Sequence, residues 1–213
     1  MLTYYLPFVI AYTSLSFVFF LIDVFAYKFK RLKKLKIDDI TLEQLLDIYI
    51  KITPTVFINL FFLTAPIAFL VEKFYVKYNN LEPITIVVDI YLTYILSQIS
   101  FYWTHRLFHI PYLYQYHKKH HEIKIPVGMA AIYAHPLDYY SNILSIGIVP
   151  VLIGVNPLLL NSWLVFSAFN TIVAHSNFKD VKQHDIHHKL FKYNYGAHWL
   201  DKLYNTLKTE HQD

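Results

Sequence analysis

The chain has 213 residues, of which 55% are hydrophobic and 18% aromatic but only 16% charged, a balance too apolar for an ordinary soluble domain of this length and characteristic of a membrane protein. It has no cysteine, which excludes disulfides, thiolate metal sites and cysteine nucleophiles, so any metal must be held by nitrogen and oxygen. Much of the formal net charge of +4 lies in "KFKRLKKLK", Lys28 to Lys36; because this run follows an apolar stretch, it reads as a membrane-orienting anchor, not as a contact for nucleic acid.

In chain order, Leu6 to Tyr27 is long enough to cross a bilayer of about 30 Å at roughly 1.5 Å per residue. No small-residue cleavage site precedes the lysines, so the segment is expected to stay as a first span. The basic run after it places Lys28 to Lys36 in the cytosol and the N-terminus across the membrane. "DDITLEQLLDIYIKI" reads as an amphipathic helix with Thr41 and Gln44 at capping-box spacing, lying either on the membrane surface or against neighbouring helices. A second span runs from Pro54 to Phe74 and a third from Ile84 to Trp103, joined by a polar loop around Asn79 and Asn80. The apolar stretch Ser141 to Ala174 is interrupted by "GVNP", Gly154 to Pro157, and predicts a re-entrant or spanning hairpin. The expected architecture is an all-α integral membrane protein with about three transmembrane helices, this hairpin and a cytosolic histidine-rich helical cap.

Three histidine clusters stand out against this background. "HRLFH" places His105 and His109 at i, i+4 on a helix continuing the third span. "HKKHH" places His117, His120 and His121 at i, i+3, i+4, and "HDIHH" repeats that spacing with His184, His187 and His188. The topology puts all three at one membrane face. Neutral imidazole binds iron, zinc, copper and nickel. One ion takes four to six protein ligands at most, so eight clustered imidazoles predict two ions. Structural zinc needs only four ligands, so a second metal points to chemistry, most simply a redox-capable iron pair facing oxidisable lipid. The rival reading is a zinc-binding or zinc-moving membrane protein; transporters, however, place their ligands near the bilayer midplane, whereas these histidines lie beyond the span ends.

These three boxes, with "HKKHHEIKIPVGMAAIYAHPLDYYSN" and "HDIHHKLFKYNYGAHWLDKLYNT", resemble the fatty acid hydroxylase and sterol desaturase superfamily of membrane di-iron oxygenases, and within it the 4-methylsterol oxidases, over about Tyr102 to Thr206. The resemblance implies two iron ions, O2, and electrons from NAD(P)H passed through a reductase or cytochrome b-type carrier. It also implies location in the endoplasmic reticulum with the site facing the cytosol, and a sterol substrate oxidised at its 4-methyl group. A fatty acyl chain, a sphingoid base or the C-5 sterol position is the alternative. Residues 1–83 then form an N-terminal membrane anchor region and residues 84–213 the catalytic domain.

The resemblance also adds His135 and His175, making the implied ligand set His105, His109, His117, His120, His121, His135, His175, His184, His187 and His188. His135 is either a ligand or a residue that orients one. Asp138 and Asp185 are candidates to hydrogen-bond a ligating imidazole and set its tautomer, with a loop cap as the alternative for Asp138. His198 and His211 read as surface residues, and Asp201 as packing and polar closure of the tail. Asp23 and Asp89 lie in spans, near enough to their ends to reach water. Two departures from the family pattern bear on the substrate entrance: the stretch from His175 to His184 is short, and Ile132 replaces an acidic residue.

Overall fold

A computed structural model describes residues 2–29, 40–75, 82–178 and 183–209. Most of the basic run, the loop around Asn79 and Asn80, and His211 lie outside them. Among the described residues the chain is helical, without strands. The long helices are α1 (Leu2–Phe29), α2 (Leu42–Phe74), α3 (Pro83–Phe108), α5 (Pro136–Ile153) and α6 (Pro157–Ala174). Shorter ones are α4 (Pro111–His117), α7 (Gln183–Leu190) and α8 (His198–Leu203).

Among the described residues five helices are long and apolar enough to cross a membrane, the three expected spans and the two arms of the hairpin. In the most apolar stretch of α3 only 11% of residues are buried, and Ile84, Val87 and Tyr91 project outward. Apolar side chains turned out of the fold along a closed helix are what lipid requires, and the chain is an integral membrane protein.

The amphipathic segment and the second expected span form one helix. Thr41 caps it in a reciprocal capping box with Gln44, and the helix passes Pro54 into a π-helical stretch, Ile58–Leu63. Leu45, Tyr49, Ile52 and Val56 fall on one buried face and join a core with Tyr12 and Phe19 of α1 and Ile172 of α6. This half of α2 therefore packs on protein. Asp23 of α1 is buried and accepts a 2.6 Å hydrogen bond from the Tyr49 hydroxyl, so it is held inside the protein and does not reach water as its place near a span end suggests.

The hairpin turns where "GVNP" predicts. Gly154 closes α5 with φ 75°, a left-handed conformation cheap only for glycine. Asn156 caps α6, and Pro157 occupies its first turn. Within α5, Pro150 has no N–H to offer Ile146, and the freed carbonyl accepts instead from Ser97 Oγ of α3 and Trp163 Nε1 of α6, each at 3.1 Å.

Residues at one end of the bundle include Tyr4, Tyr75 and Val155, with the Tyr75 hydroxyl bonded to the Val155 carbonyl. At the other end are Asp23, Tyr49, Phe178, and Lys119 bonded to Thr55. The loop after the second histidine cluster lies there too, against α1 and α6: at Gly128 an added Cβ would stand 2.8 Å from Ile172 Cγ2 and 3.4 Å from Phe19 Cβ.

Candidate metal centre

The histidines collect at this second end of the bundle. His105 sits in the last turn of α3 and His109 at its C-cap. His117 ends α4, and His120 and His121 follow in a 3-10 turn, His120–Glu122. His175 caps α6, and His184, His187 and His188 lie on α7. Two groups result: His105, His109, His117, His121 and His187 in one, His120, His175, His184 and His188 in the other, each with candidate ligand atoms all within 4.8 Å of one another.

The spacing led us to expect each cluster to present one face, whereas the structure divides two of the three. The helix ends at His117, so the following turn sends His120 to the four-histidine group while His121 joins His117. On α7 the i, i+4 pair His184 and His188 shares one row, and His187 falls on the adjacent one.

Hydrogen bonds set which nitrogen four of the rings offer. His105 Nδ1 lies 2.6 Å from the Tyr195 carbonyl, His187 Nδ1 2.7 Å from the Tyr193 carbonyl and His175 Nδ1 2.7 Å from the Thr171 carbonyl. A carbonyl only accepts, so the proton sits on Nδ1 and the lone pair on Nε2. His117 is set the same way by Asp138 Oδ2, 2.9 Å from its Nδ1. Nε2 of His105 then faces Nε2 of His117 at 3.1 Å. His175 Nε2 likewise faces those of His184 and His120 at 2.8 and 3.1 Å. In the His105–His117 pair, where both protons sit on Nδ1, the two lone pairs at that separation repel unless a cation lies between them. His109 Nε2, His121 Nε2 and His187 Nε2 are buried without a hydrogen-bond partner, a cost removed by ligation. The donor set, all imidazole nitrogen, fits two transition-metal ions.

Burial reinforces this. Desolvation, with like charge from neighbouring rings, holds His117, His120, His121, His184, His187 and His188 far below the ordinary histidine range. Desolvation likewise brings His109 to about 2 and His175 to about 4. All are neutral at physiological pH, the state that ligates metal.

His135 belongs to neither group. It caps α5, its Nδ1 accepting from the Leu137 amide at 3.2 Å, with its ring against Tyr116. A ring turned to its own helix N-terminus does not reach the metal groups. Asp138, one turn on, is buried; it also accepts from Asn142 Nδ2 at 2.8 Å. Asp185 is buried in the first turn of α7. His198 is exposed and stands apart from both groups.

Three features of the site go beyond what the sequence shows. The carbonyls of Tyr193 and Tyr195 aim two imidazoles. Asp201, expected as packing and polar closure of the tail, is fully buried and gathers this loop: its carboxylate accepts from the amides of Tyr195 and Gly196, from Gln183 Nε2 and from Thr206 Oγ1 at 2.8–3.2 Å. Phe191, at φ 60°, ends α7 in a conformation costly for a bulky residue and lays its ring 4.9 Å from that of His121. Of these, only Asp201 carried a signal in the sequence, as an acidic residue in the tail.

An apolar cavity of about 150 Å³ runs from between α1, α2, α5 and α6 to His105, His117, His120, His175 and His184. A wider cleft of about 640 Å³ between α3, α6 and the tail reaches His175 and His184 from the side, past Gln98, Asn170 and Lys208. The hairpin and Phe101 of α3 wall the cavity on one side, and Tyr4, Phe8, Ile67 and Val71 of α1 and α2 close the other.

Fold and site together define an integral membrane protein with paired polyhistidine sites at the end of an apolar cavity. The family model described as fatty acid hydroxylase matches residues 90–206, more than half of the chain, and the chain belongs to that family. It is 32% identical over 120 residues to human (Homo sapiens) "Fatty acid hydroxylase domain-containing protein 2", covering 53% of this chain and 36% of that protein. It is 35% identical over 123 residues to "Methylsterol monooxygenase 1" of Rattus norvegicus, covering 49% and 41%. Identity to the rice (Oryza sativa) "Very-long-chain aldehyde decarbonylase GL1-8" is 30% over 146 residues, covering 58% and 53%. The chain thus spans between about a third and half of the length of these relatives. No solved structure matches it.

Proposed function

We propose that the chain is a di-iron monooxygenase that oxidises a membrane lipid, a sterol at its 4-methyl group. On this reading it lies in the endoplasmic reticulum with the histidines facing the cytosol, and a cytochrome b-type carrier and reductase bring electrons from NAD(P)H. The observation that carries it is the set of inward-facing Nε2 lone pairs at the end of an apolar cavity: a lipid within the bundle can reach the metals without leaving an apolar environment.

His105, His109, His117, His121 and His187 would hold one iron and His120, His175, His184 and His188 the other. Iron bound there supplies the activation of O2 that oxidation of an unactivated C–H bond requires. The chain's own residues do the rest. The carbonyls of Thr171, Tyr193 and Tyr195 and the carboxylate of Asp138 keep protons on Nδ1 and aim Nε2 inward. Phe101, Ile143 and Ala168 line the cavity and exclude water from the path to the metals. The sterol assignment draws support from the rat relative, named a methylsterol monooxygenase; the hydroxylase and decarbonylase names of other relatives mark the alternative, an acyl chain.

The test is expression in cells lacking their own 4-methylsterol oxidase. The wild-type protein should restore growth and reduce accumulated 4,4-dimethylsterols, and His187→Ala should do neither. Membrane-inserted protein carrying two irons that leaves these sterols untouched while hydroxylated acyl chains or sphingoid bases appear would overturn the sterol assignment. Protein purified with zinc and no iron would overturn the oxygenase.

A further inference from the structure

The cavity is apolar except for a few groups, and one of them is not explained by metal binding. Thr64 follows directly on the π-helical stretch of α2, and its hydroxyl is 3.1 Å from the Asn59 carbonyl and 2.6 Å from the Tyr139 hydroxyl of α5. Both residues are buried and line the cavity. A carbonyl accepts only, so the one proton of Thr64 goes to Asn59; the Tyr139 proton must then go to Thr64 Oγ1. Among the described residues no donor reaches the Tyr139 oxygen, which keeps its lone pairs in an apolar cavity that also holds His117 and His120. The π-helical stretch that aims Thr64 is itself tied to the loop that leads into α5, since the Asn59 side chain donates to the carbonyls of Ile132 and Ala134 at 2.8 and 3.0 Å. π-helical turns of this kind recur at functional sites.

We propose that Tyr139, oriented by Thr64, is the acceptor for a substrate hydroxyl, so that the protein takes lipids carrying a free hydroxyl on the same end as the carbon presented to the histidines. This deepens the oxygenase reading and rests on it for the identity of the cavity as a substrate site. It also gives α2, which lies outside the family-matched residues, a part in choosing the substrate. An acceptor without a donor selects a hydroxyl over an ether of the same shape, because the ether leaves the buried oxygen unsatisfied.

The experiment measures binding to the purified protein in lipid nanodiscs with two matched pairs of tritiated probes: a 4-methylsterol and its 3-methyl ether, and a long-chain alcohol and its methyl ether. The wild type should bind the hydroxyl member of at least one pair about three- to tenfold more tightly, the range of one net hydrogen bond. Tyr139→Phe, which keeps the buried ring, should remove the preference at unchanged metal content, and Thr64→Ser, which keeps the hydroxyl, should retain it. Equal binding of alcohol and ether by the wild type overturns the proposal whatever the variants do, and so does failure of both pairs to bind. A preference that survives Tyr139→Phe also overturns it and leaves the Thr64–Tyr139 pair as a tie between α2 and α5. A preference lost in Tyr139→Phe, in protein that carries no iron, upholds the hydroxyl site and sinks the oxygenase reading instead.

Discussion

Asp201→Asn isolates the contribution of a residue that touches no histidine. The carboxylate holds two donors on each oxygen: Tyr195 N and Thr206 Oγ1 on Oδ1, and Gly196 N and Gln183 Nε2 on Oδ2. Asparagine can serve one pair only. If its oxygen keeps the first pair, its amide nitrogen faces the second; Gln183 can turn its own oxygen toward it, but the Gly196 N–H is left without an acceptor. Losing one hydrogen bond to a charged group and stranding a partly buried donor costs about 2–4 kcal/mol. The strain falls on the loop that carries the Tyr193 and Tyr195 carbonyls, and so on His187 and His105. We expect metal affinity to fall roughly tenfold, the low end of what partners of ligating residues contribute, with the loss confined to the ion held by the five-histidine group. Metal per chain against a chelator series, together with thermal unfolding of the metal-free protein, measures both effects. Reduced thermal stability with unchanged metal affinity would show that the loop carbonyls do not aim the histidines, and would refute the reasoning.

His120→Ala should lower metal content toward one ion per chain, whereas His135→Ala should leave it unchanged, by elemental analysis of matched preparations; equal loss in both would place His135 among the ligands. The metal-free protein should lose stability as pH falls. His175 is depressed from 6.5 to about 4 by burial, so its contribution is complete above about pH 6.5 and fades toward pH 4 as the unfolded chain binds the proton first; denaturant unfolding at stepped pH, flat from 6.5 to 4, would contradict this. Asn59→Ala removes two buried hydrogen bonds to Ile132 and Ala134 and strands both carbonyls, costing roughly 1–3 kcal/mol each at most, read as a lowered midpoint in detergent. A C-terminal tag should be open to protease in sealed microsomes, as the positive-inside reading of Lys28 to Lys36 requires; a protected tag would reverse the orientation.

The amino-acid sequence by itself determined the apolar helices, the turn at Gly154 to Pro157 and the positions of the histidine clusters at span ends, because hydropathy, helix breakers and i, i+4 spacing are local properties of the chain. It also determined the chemistry open to the site: without cysteine, and with imidazoles in three clusters, nitrogen ligation was the choice left. Tertiary structure alone decided the rest. Where α4 stops after His117 determines which group His120 joins, and that depends on how the following loop packs against α1, α2 and α6. The continuity of α2 through Pro54 depended on a buried face that only those neighbours create. The groups that aim the histidines are largely backbone carbonyls, which every residue possesses, so no side-chain pattern could mark Tyr193 or Tyr195 until Asp201 had folded the tail around them.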